Sequence, residues 1–225
     1  MLRLFDIILS ALGILVLSPL LLPIAIALRF TGEGEVFYRQ TRVGRGGKTF
    51  LLLKFATMLK DSPNMGTGTV TVKNDPRILP MGGFLRKSKI NELPQLINIL
   101  LGDMSVIGPR PQTPDGFNAF PEEFKSVVAL VRPGLSGIGS IVFRDEEDLL
   151  HGIDDPVAMH RDLFTPYKGE LERWYVQRNK LPTYFMLILV TAWTVVFPGH
   201  ALVWKAFPGL PLPPEALREM LNYPG

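Results

Sequence analysis

The chain has 225 residues, of which 47% are hydrophobic, with a mean hydropathy of +0.20 and a formal net charge of +3. This length suits one domain with an adequate core, and the absence of cysteine excludes disulfides and thiolate metal sites. The net charge is too small to indicate nucleic-acid binding, whereas the apolar excess near both ends indicates contact with a membrane.

The first predicted element is an apolar helix. Ile7 to Leu28 carries no charged residue and is long enough to span a bilayer. Pro19 removes a helix hydrogen bond, so a kink is expected there, and Ser18 can satisfy the freed backbone groups. Basic residues are more numerous after this stretch than before it, which places the globular part on the cytoplasmic face. A re-entrant helix keeps both ends on that face and is preferred here to a straight span, which would leave Arg3 on the far side.

Two short strands around a basic, glycine-rich turn are predicted between Val36 and Phe55. Contact of this turn with phosphates or lipid headgroups and a solvated hairpin tip both remain open. Residues 61–76 are rich in Gly, Thr, Asn, Asp and Pro, which predicts a loop suited to cover a substrate.

Residues 86–111 form the centre of the sequence. Three cations, beginning with Arg86, precede Asn91, which is predicted to cap a helix that ends at Gly102. Glu92 would then lie at the positive end of this helix, which suggests a phosphate site beside a carboxylate able to hold a metal. An ordinary capped amphipathic helix is the alternative. Arg110 follows between two prolines, and its stiff backbone suits bidentate recognition of phosphate.

The remaining third contains helices and one acidic run. A helix is predicted over 121–131, and Arg144 follows at strand-like spacing as a further candidate phosphate ligand. The acidic run at 145–148 is interpreted as a solvated loop. Residues 184–197 predict an apolar helix that lies in the membrane interface, with packing as a core helix as the alternative. The aromatic residues expected at headgroup depth are Tyr184, Trp193, Trp204 and Phe207.

Several of these segments carry a family resemblance. Ser-Lys-Ile-Asn-Glu-Leu-Pro-Gln-Leu-Ile-Asn at 88–98 and Gly-Asp-Met-Ser-Val-Ile-Gly-Pro-Arg-Pro at 102–111 resemble the signature of the bacterial sugar transferases. These are monotopic phosphoglycosyl transferases, which load a sugar phosphate onto a polyprenyl phosphate. Lys-Phe-Ala-Thr-Met at 54–58 resembles the family's Lys-Phe-Arg-Ser-Met motif, with Ala56 in place of the arginine. Arg-Pro-Gly-Leu-Ser-Gly at 132–137 resembles a further family segment.

The resemblance implies an α/β fold that is mixed and mostly helical. A re-entrant membrane-anchoring helix is expected at 1–30 and a catalytic domain at 31–180, on the cytoplasmic face of the bacterial inner membrane. An interfacial helix and a C-terminal tail at 181–225 would be continuous with that domain. No nucleic-acid partner is expected, and a homodimer is left open.

The implied reaction moves a sugar-1-phosphate from a UDP-sugar to undecaprenyl phosphate, the first membrane step in assembling a capsule, O-antigen or exopolysaccharide. Glu92 would hold Mg²⁺, which neutralises the diphosphate. Ser18 and Pro19 would dock the membrane lipid. The expected phosphate-binding residues are Lys54, Arg86, Arg110 and Arg144.

Asn91 departs from the family pattern, in which an aspartate at this position attacks to form a phosphosugar-enzyme intermediate. A neutral amide cannot act as that nucleophile, because it lacks an anionic oxygen. Four interpretations stay open: Glu92 attacks instead, the acceptor phosphate attacks directly, the asparagine is an engineered replacement that traps a standard enzyme, or the chain is a non-catalytic membrane-bound scaffold. Transferase activity of some kind is preferred to a non-catalytic scaffold, with Glu92 and Asn91 as the catalytic pair.

Overall fold

A computed structural model describes residues 1–65, 75–118, 120–144, 146–150, 152–197 and 201–224. The helices are α1 (Leu2–Arg29), α2 (Gly82–Lys87), α3 (Gln95–Leu101), α4 (Pro114–Asn118), α5 (Glu122–Val128), α6 (Ile138–Val142), α7 (Glu146–Leu149), α8 (Pro156–Met159), α9 (Thr165–Gln177), α10 (Leu181–Val196), α11 (Ala201–Ala206) and α12 (Glu215–Arg218). The strands are β1 (Phe37–Val43), β2 (Thr49–Phe55), β3 (Ser105–Ile107) and β4 (Gly134–Ser136). One-turn 3-10 segments lie at Arg45–Gly47, Ser62–Asn64 and Ile90–Glu92, and a π-helical segment lies at His160–Phe164. The predicted mixed, mostly helical fold is confirmed.

The four strands form two separate two-stranded sheets. β1 and β2 pair antiparallel, with Phe37 opposite Phe55, which confirms the predicted hairpin. Gly46 and Gly47 in its turn have φ angles of 70° and 72°, a conformation that glycine adopts without steric cost. β3 and β4 pair in parallel at another place in the fold. The predicted loop at 61–76 lies outside the described residues between 66 and 74.

The main core is built by the C-terminal half of the chain. Residues of α6, α9 and α10 meet those of α11 and α12 in one apolar cluster. Tyr167, Leu171, Tyr184 and Leu187 are among its fully buried members. Helix α10 packs into the same cluster as α9. The boundaries at 30 and 180 and the continuity of 181–225 with the preceding domain stay predictions.

Helix α1 contacts the globular part from its first turn to its last. The guanidinium of Arg3 donates to the carbonyl of Leu100 near the end of α3. Asp6 lies in the next turn, and its Oδ1 accepts bonds from Ser105 Oγ at 2.8 Å and Tyr184 Oη at 2.9 Å. At the other end of α1, Ile24 and Leu28 pack in a second cluster with Phe55 and Leu85.

Helix α1 continues through two prolines. Pro19 and Pro23 both lie inside the helix. Ser18 Oγ donates to the carbonyl of Leu15 at 2.7 Å, the group whose helical partner would have been the missing amide of Pro19. The prediction that Ser18 satisfies a freed backbone group is therefore confirmed, whereas the docking of lipid at Ser18 and Pro19 stays a prediction. Within the described ranges, α1 is the one helix long and apolar enough to cross a membrane. Its kink and its re-entrant form stay predictions.

Helix α10 begins earlier than predicted and has two different faces. It starts at Leu181, because Pro182 lies in its first turn, where a missing amide costs no hydrogen bond. Leu187 and Val190 lie on the buried face, whereas Leu189 and Trp193 are exposed. Core packing thus accounts for one face only.

The expectation of headgroup-depth aromatics was wrong for three of the four residues. Tyr184, Trp204 and Phe207 are buried, and only Trp193 of this set is exposed. The physical reason is that the polar tips find partners inside the protein. Tyr184 bonds to Asp6, and Trp204 Nε1 donates to the carbonyl of Leu221 at 3.1 Å.

Candidate active site

An open cavity of about 1340 Å³ lies beside β2, the turn at Ile90–Glu92 and helices α6 and α9. It collects every residue that the sequence predicted for catalysis and phosphate binding. These are Lys54, Arg86, Asn91, Glu92, Arg110 and Arg144. Ser18 and Pro19 do not line it and lie on α1. Residues from four separate parts of the chain therefore meet at one place, as a shared substrate site requires.

A buried ion pair joins two of these residues. Lys54 is the penultimate residue of β2, and Glu92 ends the one-turn segment that precedes α3. Lys54 Nζ lies 2.9 Å from Glu92 Oε1, and each side chain is 17% exposed. The strand fixes the lysine and the turn fixes the carboxylate, so the pair is held by backbone on both sides.

Arg110 brings a second cation to the same oxygen. Its Nη2 lies 3.6 Å from Glu92 Oε1, and its side chain is half exposed. In the part of the chain that the structure describes, no side chain bonds to the other carboxylate oxygen, Oε2. Glu92 therefore keeps one oxygen available for a ligand while the other is bound to two cations.

The backbone that carries Arg110 is held closely. A side chain at Gly108 would lie 2.4 Å from the carbonyl of Arg132, so this close approach requires glycine. Arg42 of β1 donates to the carbonyl of Pro111 at 2.9 Å, and the amide of Val43 donates to the carbonyl of Gln112. The Pro-Arg-Pro segment is thus fastened on both sides, which agrees with the predicted rigid mount.

Electrostatics keep this cluster charged and on balance positive. Burial alone would raise the pKa of Glu92, but Arg110 and Lys54 outweigh it and lower that pKa to about 2. Burial lowers the pKa of Arg42 to about 10, and repulsion from Arg110 adds to this. Three cations thus surround one carboxylate. Such a surplus of positive charge favours binding of an anion.

Asn91 does not cap the helix as predicted. Lys89 adopts a left-handed conformation with φ of 59°, and the chain then makes a one-turn segment before α3 begins at Gln95. The side chain of Asn91 is consequently turned toward the cavity rather than toward helix amides. It is 6% exposed, and its Oδ1 has no hydrogen-bond partner among the described residues. A buried amide oxygen without a protein partner is an atom that a cation or a water molecule can contact. The predicted end of α3 at Gly102 is confirmed, with φ of 102°.

The donor set near Asn91 and Glu92 can be compared with what Mg²⁺ prefers. No cluster of three or more His, Cys, Asp or Glu residues occurs in the described ranges. Mg²⁺ commonly binds through one or two protein oxygens and completes its shell with water and substrate phosphate. Asn91 Oδ1 and Glu92 Oε2 are two such oxygens on neighbouring residues that line the same cavity, so the residues fit a phosphate-bound Mg²⁺.

Sequence reasoning missed a second charged cluster at the cavity wall. Glu146 Oε1 lies 2.5 Å from Lys168 Nζ and 3.1 Å from His160 Nε2. Burial would raise the pKa of Glu146, but the bonds from His160 and Lys168 lower it to about 2. The interpretation of the acidic run as a solvated loop is therefore wrong for Glu146. Its motif carried no signal for this, because both partners come from residues further along the chain.

The other two predicted cations also reach the cavity. Arg86 is the penultimate residue of α2, and its Nη1 lies 3.7 Å from Met58 Sδ. Arg144 follows α6, so the expected strand spacing was wrong and a short helix positions it instead. Both side chains are half-buried and line the cavity. The predicted helix at 121–131 is confirmed in type and is shorter, as α5.

A family model described as "Bacterial sugar transferase" matches residues 1–198. The chain belongs to the bacterial sugar transferase family. The match extends from the first residue through α10, so it includes α1 and every cavity residue named above.

Individual relatives share between a third and two fifths of the aligned residues. The UDP-glucose:undecaprenyl-phosphate glucose-1-phosphate transferase of Escherichia coli (strain K12) is 38% identical over 177 residues, which are 76% of this chain and 36% of that protein. The exopolysaccharide production protein ExoY of Rhizobium meliloti (strain 1021) is 36% identical over 159 residues, 64% of this chain and 70% of the relative. The undecaprenyl-phosphate glucose phosphotransferase of Komagataeibacter xylinus is 36% identical over 156 residues, 64% of this chain and 29% of the relative. The chain thus spans about a third of the length of the first and third of these relatives.

Proposed function

We propose that this bacterial sugar transferase moves a sugar-1-phosphate from a UDP-sugar to undecaprenyl phosphate. The observation that carries the proposal is the arrangement of Lys54 and Arg110 on one oxygen of Glu92, at the wall of a large open cavity. A nucleoside diphosphate sugar brings two phosphates that need neutralisation, and this cluster carries surplus positive charge. The names of the relatives support undecaprenyl phosphate as the acceptor class and an exopolysaccharide as the product.

The bond changes of this reaction are simple to state. An oxygen nucleophile attacks the phosphorus that bears the sugar, the bond from that phosphorus to the bridging oxygen breaks, and uridine monophosphate leaves. Arg110 and Lys54 would bind the phosphate oxygens on which negative charge accumulates. Asn91 Oδ1 and Glu92 Oε2 would hold Mg²⁺, which supplies further neutralisation of the diphosphate when bound.

Two routes to transfer follow from the presence of asparagine at position 91. In the first, a carboxylate oxygen of Glu92 attacks the phosphorus that bears the sugar and forms an acyl phosphate. An oxygen of the acceptor phosphate then attacks the same phosphorus and releases the Glu92 carboxylate. In the second, an oxygen of the acceptor phosphate attacks the donor directly. The low pKa of Glu92 keeps its carboxylate ionised near neutral pH in both routes. A phosphosugar adduct on Glu92, detected by mass spectrometry without acceptor, distinguishes the first route.

The proposed location is the cytoplasmic face of the bacterial inner membrane. The outward side of α1 exposes large apolar side chains along its length. These are Leu4, Ile8, Leu12, Leu15, Val16, Leu20, Leu22 and Ile26. Because α1 also contacts the globular part at both ends, a re-entrant or in-plane arrangement explains the contacts better than a straight span. Undecaprenyl phosphate would then present its phosphate at the surface on which the cavity lies.

The test is release of uridine monophosphate by protein held in nanodiscs, with Mg²⁺, undecaprenyl phosphate and a panel of UDP-sugars. We expect turnover by the unaltered chain and its loss in Glu92→Gln. Glu122→Gln serves as the matched control, since Glu122 is exposed and pairs with the neighbouring Lys125. Absence of release from the unaltered chain with every donor would contradict the proposal for this sequence.

A second candidate function is favoured by Asn91 itself. Without the family's aspartate the chain could be a membrane-bound protein that binds the lipid or a partner without catalysis. Asn91→Asp separates the two: release of uridine monophosphate only after this change identifies the sequence with asparagine at position 91 as inactive. Release by both sequences removes the second candidate.

A further inference from the structure

Glu172 is a buried carboxyl group that the reaction described above does not use. It lies on α9, is 8% exposed and lines the cavity. Its Oε2 has no hydrogen-bond partner among the described residues. Leaving a buried carboxyl oxygen unpaired is costly, and binding sites are where proteins retain such groups.

The other carboxyl oxygen of Glu172, Oε1, is held in place by its surroundings. A Cβ atom at Gly139 would lie 2.5 Å from Glu172 Oε1, so that oxygen is packed directly on glycine backbone. The backbone amides of Arg110 and Gly139 face the carboxyl group. Lys168, one helical turn earlier, is already bonded to Glu146. Oε1 is thus packed against Gly139, whereas Oε2 has no hydrogen-bond partner among the described residues.

Arg110 connects Glu172 with Glu92, and all three residues line the same cavity. The backbone amide of Arg110 faces Glu172, whereas the guanidinium of the same residue reaches Glu92. A donor whose diphosphate contacts the guanidinium would therefore place its neighbouring group near Glu172. Burial raises the pKa of Glu172 to about 8, so this group is suited to a neutral hydroxylated ligand rather than to a cation.

We propose that Glu172 binds a hydroxyl group of the donor's sugar and helps to determine which sugar is transferred. The proposal rests on the proposed transferase function. A site built to hydrogen-bond a substrate hydroxyl discriminates strongly against analogues that lack it, because the buried partner is then left unpaired. Glu172 is in that sense a specificity-determining residue, and its free oxygen is the atom that makes the contact.

The experiment combines changes in the enzyme with changes in the substrate. The probes are the UDP-sugar with the highest rate in the panel above and analogues that each lack one sugar hydroxyl. The unaltered chain should lose kcat/KM with one of these analogues in particular. In Glu172→Gln that loss should shrink by roughly tenfold or more, while the losses for the other analogues stay the same. Glu170→Gln, an exposed glutamate on the same helix, should leave every ratio unchanged.

Several results would overturn the inference. If Glu172→Gln lowers the rate equally for all analogues, the residue only positions the Arg110 backbone. If Glu172→Gln instead changes the loss of kcat/KM caused by methylation of uracil N3, the nucleobase rather than the sugar lies next to Glu172. Should Glu172→Gln fail to fold, Gly139→Ala displaces the carboxyl group by a steric contact and should alter the same ratio. If uridine monophosphate is released but Glu172→Gln does not change the loss of kcat/KM for any one analogue, this inference alone is refuted. Absence of release refutes the transferase function as well.

Discussion

Lys54 and Glu92 are 38 positions apart in the sequence, yet Lys54 Nζ lies 2.9 Å from Glu92 Oε1. The contact links the antiparallel hairpin to the turn before α3. Because both side chains are largely removed from water, neither charge is well solvated without the other. The pair therefore contributes to the stability of the fold as well as to the charge of the site.

The first prediction concerns the contribution of this ion pair to the free energy of unfolding of the protein. Lys54→Met and Glu92→Gln should each destabilise the protein, since each leaves one buried charge without its partner. The double variant should be more stable than the sum of the two single effects, by about 0.5–3 kcal/mol. Denaturant unfolding of the four proteins in one detergent measures this coupling. Additive single effects would show that the two charges do not interact in solution.

The second prediction concerns pH. The pKa of Glu92 is lowered in the folded state from 4.5 to about 2, so its ionised form stabilises the fold above the unfolded pKa. That contribution should be lost as the pH falls from about 4.5 toward about 2. The midpoint of thermal unfolding should therefore fall less steeply with acidification in Glu92→Gln than in the unaltered chain. Equal slopes in the two proteins would contradict the low pKa, and Glu122→Gln provides the control.

The third prediction concerns the guanidinium of Arg110. Arg110→Lys keeps the charge but removes the planar group that can contact two phosphate oxygens at once. We expect kcat/KM for the UDP-sugar to fall by roughly 10- to 100-fold, with little change in stability because this side chain is half exposed. The matched control is Arg161→Lys, an exposed arginine paired with Asp162. An unchanged kcat/KM in Arg110→Lys would remove this residue from the site.

The fourth prediction concerns the link between α1 and α10. Tyr184→Phe removes one of the bonds to Asp6 and should lower the free energy of unfolding by about 1–3 kcal/mol. Tyr223→Phe is a suitable control, because the hydroxyl of Tyr223 has no hydrogen bond to any residue that the structure describes. Thermal unfolding in detergent measures both. A loss of equal size in the two variants would mean that the bond to Asp6 is not responsible.

The local features of the fold could be predicted from the sequence. Two short strand-like runs around a basic, glycine-rich turn predicted the β1–β2 hairpin, and Gly102 predicted the end of α3. The contiguous motif at 88–111 likewise identified Glu92 and Arg110, because their chemistry is specified by close neighbours in the chain. Such signals depend on short-range backbone rules, which the sequence carries directly.

The residues that escaped prediction depend on distant partners. Glu172 and Lys168 lie on an amphipathic helix with no motif, and only packing of α9 against the cavity gives them a role. Asn91 was predicted as a cap on its residue type, but the left-handed conformation of Lys89 turned it elsewhere. Asp6 was left outside the predicted apolar helix, because a single acid beside an apolar stretch does not show where its partners are.

The bond between Asp6 and Tyr184 has a consequence for biosynthesis, since it joins residues 178 positions apart. Helix α1 emerges from the ribosome before α10, which carries Tyr184. During that interval the carboxyl group of Asp6 lacks its partner in α10, next to the uncharged stretch from Ile7 to Leu28. Helix α1 therefore completes its contacts only after α10 has been made, so the docking of α1 and the packing of the C-terminal core are completed together.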